Sequence, residues 1–246
     1  MAKPHLRTWV WSILYLTIAL AAKIQAQEVV ATKIESAGTS SEVLTLSVRD
    51  AADAHGQRSQ TSDKDPAAAL TDWVKALDTL EATVVQQIYA NGTLLEESRG
   101  RFAMAPPLLL WQIYEPFPQT ILLDEERLQI YDQDLGQLTI QSLSNASGPM
   151  PADLLLQPDQ LVNGEYAITR QIHGDEHTYR LAPRASSSLF QALDIVLTEG
   201  VLTSLSIYDW QGQHTRLLFE RVLVNQPQPL TQFQLVVPEG TDVIRG

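Results

Sequence analysis

Four strand-length runs follow one another between Gly100 and Leu143, at Gly100 to Met104, Leu108 to Tyr114, Thr120 to Leu123 and Leu128 to Tyr131, and the pattern continues past a turn into Gln137 to Leu143. Pro106-Pro107, Glu115-Pro116-Phe117-Pro118, Asp124-Glu125-Glu126 and Asp132-Gln133-Asp134 punctuate them, as short antiparallel strands require. Strand alternation puts Leu109, Trp111 and Ile113 on one side of the second run, and Leu108, Leu110, Gln112 and Tyr114 on the other. Leu122 and Ile130 are expected to extend the Trp111 side on the following strands. That face carries apolar bulk and no catalytic group. A sheet that buries one apolar face needs a second layer or a ligand against it.

The flanking sequence supplies a layer. Asp65 is a good N-cap and Pro66 suits the first helical position, where its missing N–H is no loss. Leu70, Trp73, Val74, Leu77 and Leu80 then recur at helical spacing, which predicts one apolar stripe on a helix ending near Thr79. From Ala82 onward the pattern is mostly strand. Ala82 to Ala90 turns at Asn91-Gly92 into Thr93 to Ser98, and later runs are Tyr166 to His173, Thr178 to Ala182, Ala192 to Thr198, Leu202 to Tyr208, Thr215 to Val224 and Thr231 to Val237. Between the two sets, Pro151 opens a short predicted helix carrying Leu154, Leu155 and Leu156. Ten or eleven strands with two or three helices predict a mainly β (α+β) fold, one strongly curved antiparallel sheet under a helical cover.

The N-terminus reads as an address. Lys3 and Arg7 precede an apolar run from Trp9 to Leu20, and Ala19-Leu20-Ala21 and Ala26 offer small-residue cleavage points, so residues 1–26 are expected to be an export signal. Residues 27–64, rich in Ala, Ser, Thr, Asp and Gln, read as a disordered leader with a short strand at Glu42 to Val48; residues 65–246 form the folded domain. A formal charge of −12 disfavours phosphate backbones and anionic lipid surfaces, so nucleic acid is not an expected partner. The sequence holds no cysteine. A chain of this length can be held by its core without disulfides. No thiol is present for lipid attachment, so a lipid-handling protein with this sequence would be a soluble carrier.

The sequence offers little chemistry. It has no Gly-x-Ser-x-Gly elbow, His-Glu-x-x-His or Gly-rich phosphate loop before a helix. His173 and His177 with Asp175 and Glu176 read as a solvated hairpin tip, and Asp124, Glu125 and Glu126 as exposed turn acids. No catalytic residue, metal site or cofactor is expected, although an exported hydrolase of unfamiliar type stays open at this stage.

Gly100-Arg101-Phe102, Pro106-x-Leu108-x-x-Trp111-x-x-Tyr114-x-Pro116, Ile121-Leu122-Leu123-Asp124, Leu128-Gln129-Ile130-Tyr131-Asp132 and Leu135-Gly136-Gln137-Leu138-Thr139 resemble, in order and spacing, the periplasmic outer-membrane lipoprotein carrier protein family, LolA. Pro151 to Leu156 is similar to its lid segment, Leu181-Ala182-Pro183 to a following strand end, and Phe233 to Ile244 to its C-terminal signature, so the resemblance runs from about Asp65 to Ile244. It implies an unclosed antiparallel β-barrel with a helical lid over an apolar cavity for acyl chains. It also implies a monomeric periplasmic chaperone that takes acylated lipoproteins from an inner-membrane ABC-type release complex to an outer-membrane acceptor.

Carried over by position, Leu109 and Trp111 fall where the family has Phe and Trp on the cavity wall. Val74, Leu77 and Leu80 fall where its first helix faces the cavity; Phe102, Ile113, Leu122, Ile130, Leu154 and Leu155 complete the expected acyl-binding set. Two positions depart from the pattern. Met104-Ala105-Pro106 stands in place of Lys-Arg-Pro, whose arginine latches the family's lid, and Leu110 replaces a basic residue before the tryptophan. Closure must then rely on other contacts or be looser. The alternative within the same fold is a lipoprotein-sensing regulatory domain that binds a signalling protein; it would be expected to carry a second C-terminal domain.

Overall fold

Alternating apolar strands joined by tight turns tend to pair with their sequence neighbours, and in the computed structural model most of the twelve strands among the described residues do so, all in one sheet. The structure describes residues 65–143, 153–185, 188 and 190–245; the expected signal at 1–26, the leader at 27–64 and Pro151 lie outside them. The strands are β1 (Leu80–Ala90), β2 (Thr93–Ala105), β3 (Leu108–Glu115), β4 (Gln119–Leu123), β5 (Arg127–Asp132), β6 (Gln137–Ser142), β7 (Tyr166–His173), β8 (Glu176–Pro183), β9 (Ala192–Thr198), β10 (Val201–Tyr208), β11 (Gln213–Val224) and β12 (Asp242–Arg245). Their spatial order is β12-β6-β5-β4-β3-β2-β1-β11-β10-β9-β8-β7. Two antiparallel meanders, β1 to β6 and β7 to β11, are thus joined along the β1–β11 ladder. Strands β7 and β12 are the two edges, and among the described residues no ladder joins them, so the barrel is unclosed.

The last strand differs from expectation. Thr231 to Val237 holds a short 3-10 turn, Leu230–Phe233, followed by irregular chain, and the pairing strand is β12, which runs parallel to β6. Tight turns set the register elsewhere. Asn91 and Gly92 have φ of 51° and 78°, and Glu199 and Gly200 have 52° and 78°, the left-handed pairs that match hairpin twist.

The runs Thr93 to Ser98 and Gly100 to Met104 are one continuous strand, β2, with a bulge against β3 between Arg99 and Gly100. A Cβ on Gly100 would lie 2.0 Å from the Gln112 backbone oxygen, so only glycine permits this approach of β2 and β3.

The first helix is Pro66–Lys75, with Asp65 Oδ2 accepting from the Ala68 N–H at 3.4 Å. It stops four residues before Thr79. Leu77 falls in the turn that follows and Leu80 opens β1, although both stay buried beside Leu70 and Val74. The cause lies far along the chain. Asn225, in left-handed conformation at φ 55°, accepts from the Asp78 and Thr79 N–H groups at 2.8 and 3.3 Å and donates to the Ala76 carbonyl at 2.8 Å. Its own N–H donates to the Thr79 carbonyl at 2.8 Å. This clasp draws the chain out of the helix and into the sheet.

On the sheet surface away from the helix, His214 is stacked between Tyr89 and Tyr208, with ring centroids 5.5 and 4.6 Å away, and Arg180 lies 5.1 Å from the Tyr208 ring. Burial, and then the charge of Arg216, hold the imidazole below the usual histidine range, while Asp194 opposes them. The fold therefore disfavours the protonated ring. The stability this gives is present above the unfolded histidine value, near pH 6.5, and is lost as pH falls below it.

Two expected outcomes follow. Gly100→Ala should lower stability by more than about 2 kcal/mol in urea unfolding, because backbone on both strands must move. Stability should fall between pH 7.5 and pH 5, and His214→Gln should remove part of that fall in the same assay.

Candidate functional site

Residues opposite one another in an antiparallel ladder share a face, so the registers define the surface under the helices. Trp111 pairs with Phe102 on β2 and Ile121 on β4, and Ile121 with Ile130 on β5. One step along, Leu109 pairs with Met104 and Leu123, Leu123 with Leu128, and Met104 with Leu80. In the other direction Ile113 pairs with Gly100, and Gly100 with Val84. These residues form the floor of one apolar cluster that continues through Phe219, Leu217, Leu205 and Ile195 on the second meander. Trp111 is 3% exposed and Leu109 2%. Phe102 and Phe219 meet edge to face at 5.8 Å, which locks the β1–β11 seam beneath the cover.

The expected set is therefore brought together with one correction. Val74, Leu77, Leu80, Phe102, Leu109, Trp111, Ile113, Leu154 and Leu155 all belong to this cluster, and Ile130 packs against it partly buried. Leu122 does not. It pairs with Leu110 and lies on the opposite face, where both join Ala103 and Phe233 in a separate cluster under the C-terminal segment. Strand β4 is buried on both faces, and its floor residues are Ile121 and Leu123. Met104 and Leu128 were also missed, although each lies two residues from an expected site residue, the spacing that keeps strand neighbours on one side.

A lid covers the floor. The first helix contributes Leu70 and Val74; the short helix Asp153–Leu156 contributes Leu154 and Leu155; and the 3-10 turn Pro158–Leu161 contributes Leu161. In the described conformation these leucines and Trp111 are buried in one apolar cluster. Ala105 packs against the outer Leu110–Phe233 cluster, away from the lid. The Trp73 Nε1–H donates to the Gly200 carbonyl at 2.8 Å, and Lys75 Nζ lies 2.6 Å from Asp159. The Lys75 and Asp159 side chains are 51% and 83% exposed, so their pair is worth at most about 1 kcal/mol. Apolar packing holds the lid down.

At the far end of the floor from Leu80 the face turns polar. Beyond Val84, Gln86 and Ile88 continue β1, opposite Ser98 and Glu96 of β2. Burial raises the Glu96 carboxyl above the ordinary carboxylate range.

The model of the family described as "Outer membrane lipoprotein carrier protein LolA" matches residues 75–236. The chain is 35% identical over 179 residues to the outer-membrane lipoprotein carrier protein of Azotobacter vinelandii, covering 72% of this chain and 86% of that one. It is 34% identical over 181 residues to that of Hahella chejuensis, covering 72% and 87%. To that of Pseudomonas entomophila it is 30% identical over 194 residues, covering 78% and 94%.

A lid held by packing should open before the sheet does. In native-state hydrogen exchange the amides of 153–161 should exchange at least tenfold faster than those of β1 and β11, and Leu154→Ala should widen the gap. Equal protection of lid and sheet would contradict this reading.

Proposed function

Because the chain belongs to the outer membrane lipoprotein carrier protein LolA family, we propose that it carries acylated lipoproteins across the periplasm with their fatty chains enclosed between the β1–β5 floor and the leucine lid. The observation that carries the reading is the pairing of a continuous apolar floor, centred on Trp111, with a small separate cover made of leucines. Val74, Leu77, Leu80, Phe102, Leu109, Trp111, Ile113, Ile130, Leu154 and Leu155 are assigned to acyl-chain contact, and Ile121 and Leu123 take the place first given to Leu122. Residues 1–26 act as the export signal, residues 27–64 precede the carrier domain, and residues 65–246 form it as a monomer. Cargo comes from an inner-membrane ABC-type release complex and passes to an outer-membrane acceptor.

The energetics suit transport by binding alone. Each buried methylene is worth about 0.8 kcal/mol, so long acyl chains do not cross water unshielded. When they enter, they displace lid leucines that already fill the same apolar space. One apolar contact replaces another, and the net affinity stays low enough for an acceptor with a better pocket to take the cargo.

Purified from periplasm without detergent, the protein should carry bound lipoprotein. Trp111→Ser should abolish that copurification while Trp111→Phe, which keeps most of the apolar plate, retains it, with circular dichroism reporting the sheet in both. Recovery of wild-type protein free of lipoprotein, or full loading of Trp111→Ser, would count against the reading.

A further inference from the structure

Two glutamines stand on the lid-facing side of the sheet, Gln86 on β1 and Gln119 on β4, each 3% exposed. The register fixes their places. Gln119 pairs with Ile113, one row beyond Trp111 and Ile121; Gln86 follows Val84 and pairs with Leu217 of the apolar cluster. Gln119 Nε2 donates to Asp132 Oδ2 at 3.0 Å, which sets the sense of the amide and points its oxygen the other way. That Oε1, and Oε1 of Gln86, are buried with no hydrogen-bond partner among the described residues. A buried amide oxygen left unpaired is costly and uncommon, and leucine would fill the same volume without the cost. Two such oxygens at one end of an otherwise apolar floor point to a donor that arrives with a ligand.

The carrier reading restricts which donor that is. Fatty chains have none, and the ester oxygens of an acylated glycerol only accept. The donors in an acylated lipoprotein N-terminus are its amide N–H groups, the N-acyl amide of the terminal residue and the peptide units that follow. We infer that Gln119 and Gln86 form a polar subsite whose amide oxygens accept hydrogen bonds from these N–H groups, so that the headgroup lies at the Gln86–Gln119 end while the tails lie along Trp111 and Leu109. The subsite rests on the carrier function proposed above. It distinguishes a lipoprotein N-terminus from a fatty ester of the same tail length, because only the first brings donors.

The test compares two ligands on the mature full chain by displacement of a fluorescent acyl probe: a synthetic N-acyl, S-diacylglyceryl cysteinyl peptide, and the methyl ester of the same fatty acid, which has no donor. Gln119→Leu and Gln86→Leu should each weaken the lipopeptide about tenfold and leave the ester within about twofold; Gln86→Leu should hold or raise the melting temperature, and Gln119→Leu, which also loses the bond to Asp132, should change it little. Gln119→Met, which keeps an unbranched side chain of similar length, should behave as Gln119→Leu and serves if the leucine variant misfolds. Unchanged lipopeptide affinity in these variants, or equal weakening of both ligands, overturns the subsite and leaves the carrier reading standing. Wild-type protein that binds neither ligand overturns both.

Discussion

Everything in this molecule answers to a sheet face too apolar to be left in water. The row through Phe102, Trp111, Ile121 and Ile130, with its neighbours Met104, Leu109, Leu123 and Leu128, is covered by leucines from separate short segments. Coverage makes the domain stable, and coverage by small pieces makes it reversible. Leu154, Leu155 and Leu161 represent roughly 5–9 kcal/mol of burial at about 1.5–3 kcal/mol each, and a long acyl chain about a dozen. The difference between those two large terms sets the affinity for cargo, which is why a site of such hydrophobicity need not be a trap.

Curvature brings the floor and lid into register. The two meanders meet along β1 and β11, and β2 bends where Gly100 lets the Gln112 backbone approach. The opposite face has its own small cluster of Ala103, Leu110, Leu122 and Phe233, with Arg101 bonded to Gln232 and paired with Glu81 at 3.0 Å. The C-terminal segment thus clamps the outside of the strands that form the inner floor. Its last residues pair with β6, covering one edge of the sheet.

Much of this was legible from residue order, because a period-two pattern projects straight onto one side of a strand. Leu109, Trp111 and Ile113 alternate with residues of the other face, and the register adds only their neighbours. Strand β4 resisted the same reading. Ile121, Leu122 and Leu123 are all apolar and all buried, so nothing local says which face each takes; pairing with β3 decides it. Leu77 and Leu80 keep helical spacing past the end of the helix, and the group that ends it, Asn225, is about 150 residues away. Gln86 and Gln119 were passed over because a polar residue in a strand reads as solvent-facing. Val84-x-Gln86-x-Ile88 nevertheless carries the signal: a glutamine in phase with apolar neighbours on both sides.

Asn225 does more than terminate a helix. By holding Ala76, Asp78 and Thr79 to the end of β11, it welds the C-terminal tip of the first helix to the barrel wall, while at the other end the described contacts are the exposed Asp65 cap and the apolar packing of Ala69 and Leu70. Once that packing is given up, an arm still tied at one tip would swing rather than lift away bodily. The chamber would then gape as a wedge, hinged beside Thr79 and widest toward Asp65, and acyl tails would slide in from the free side rather than drop in from above.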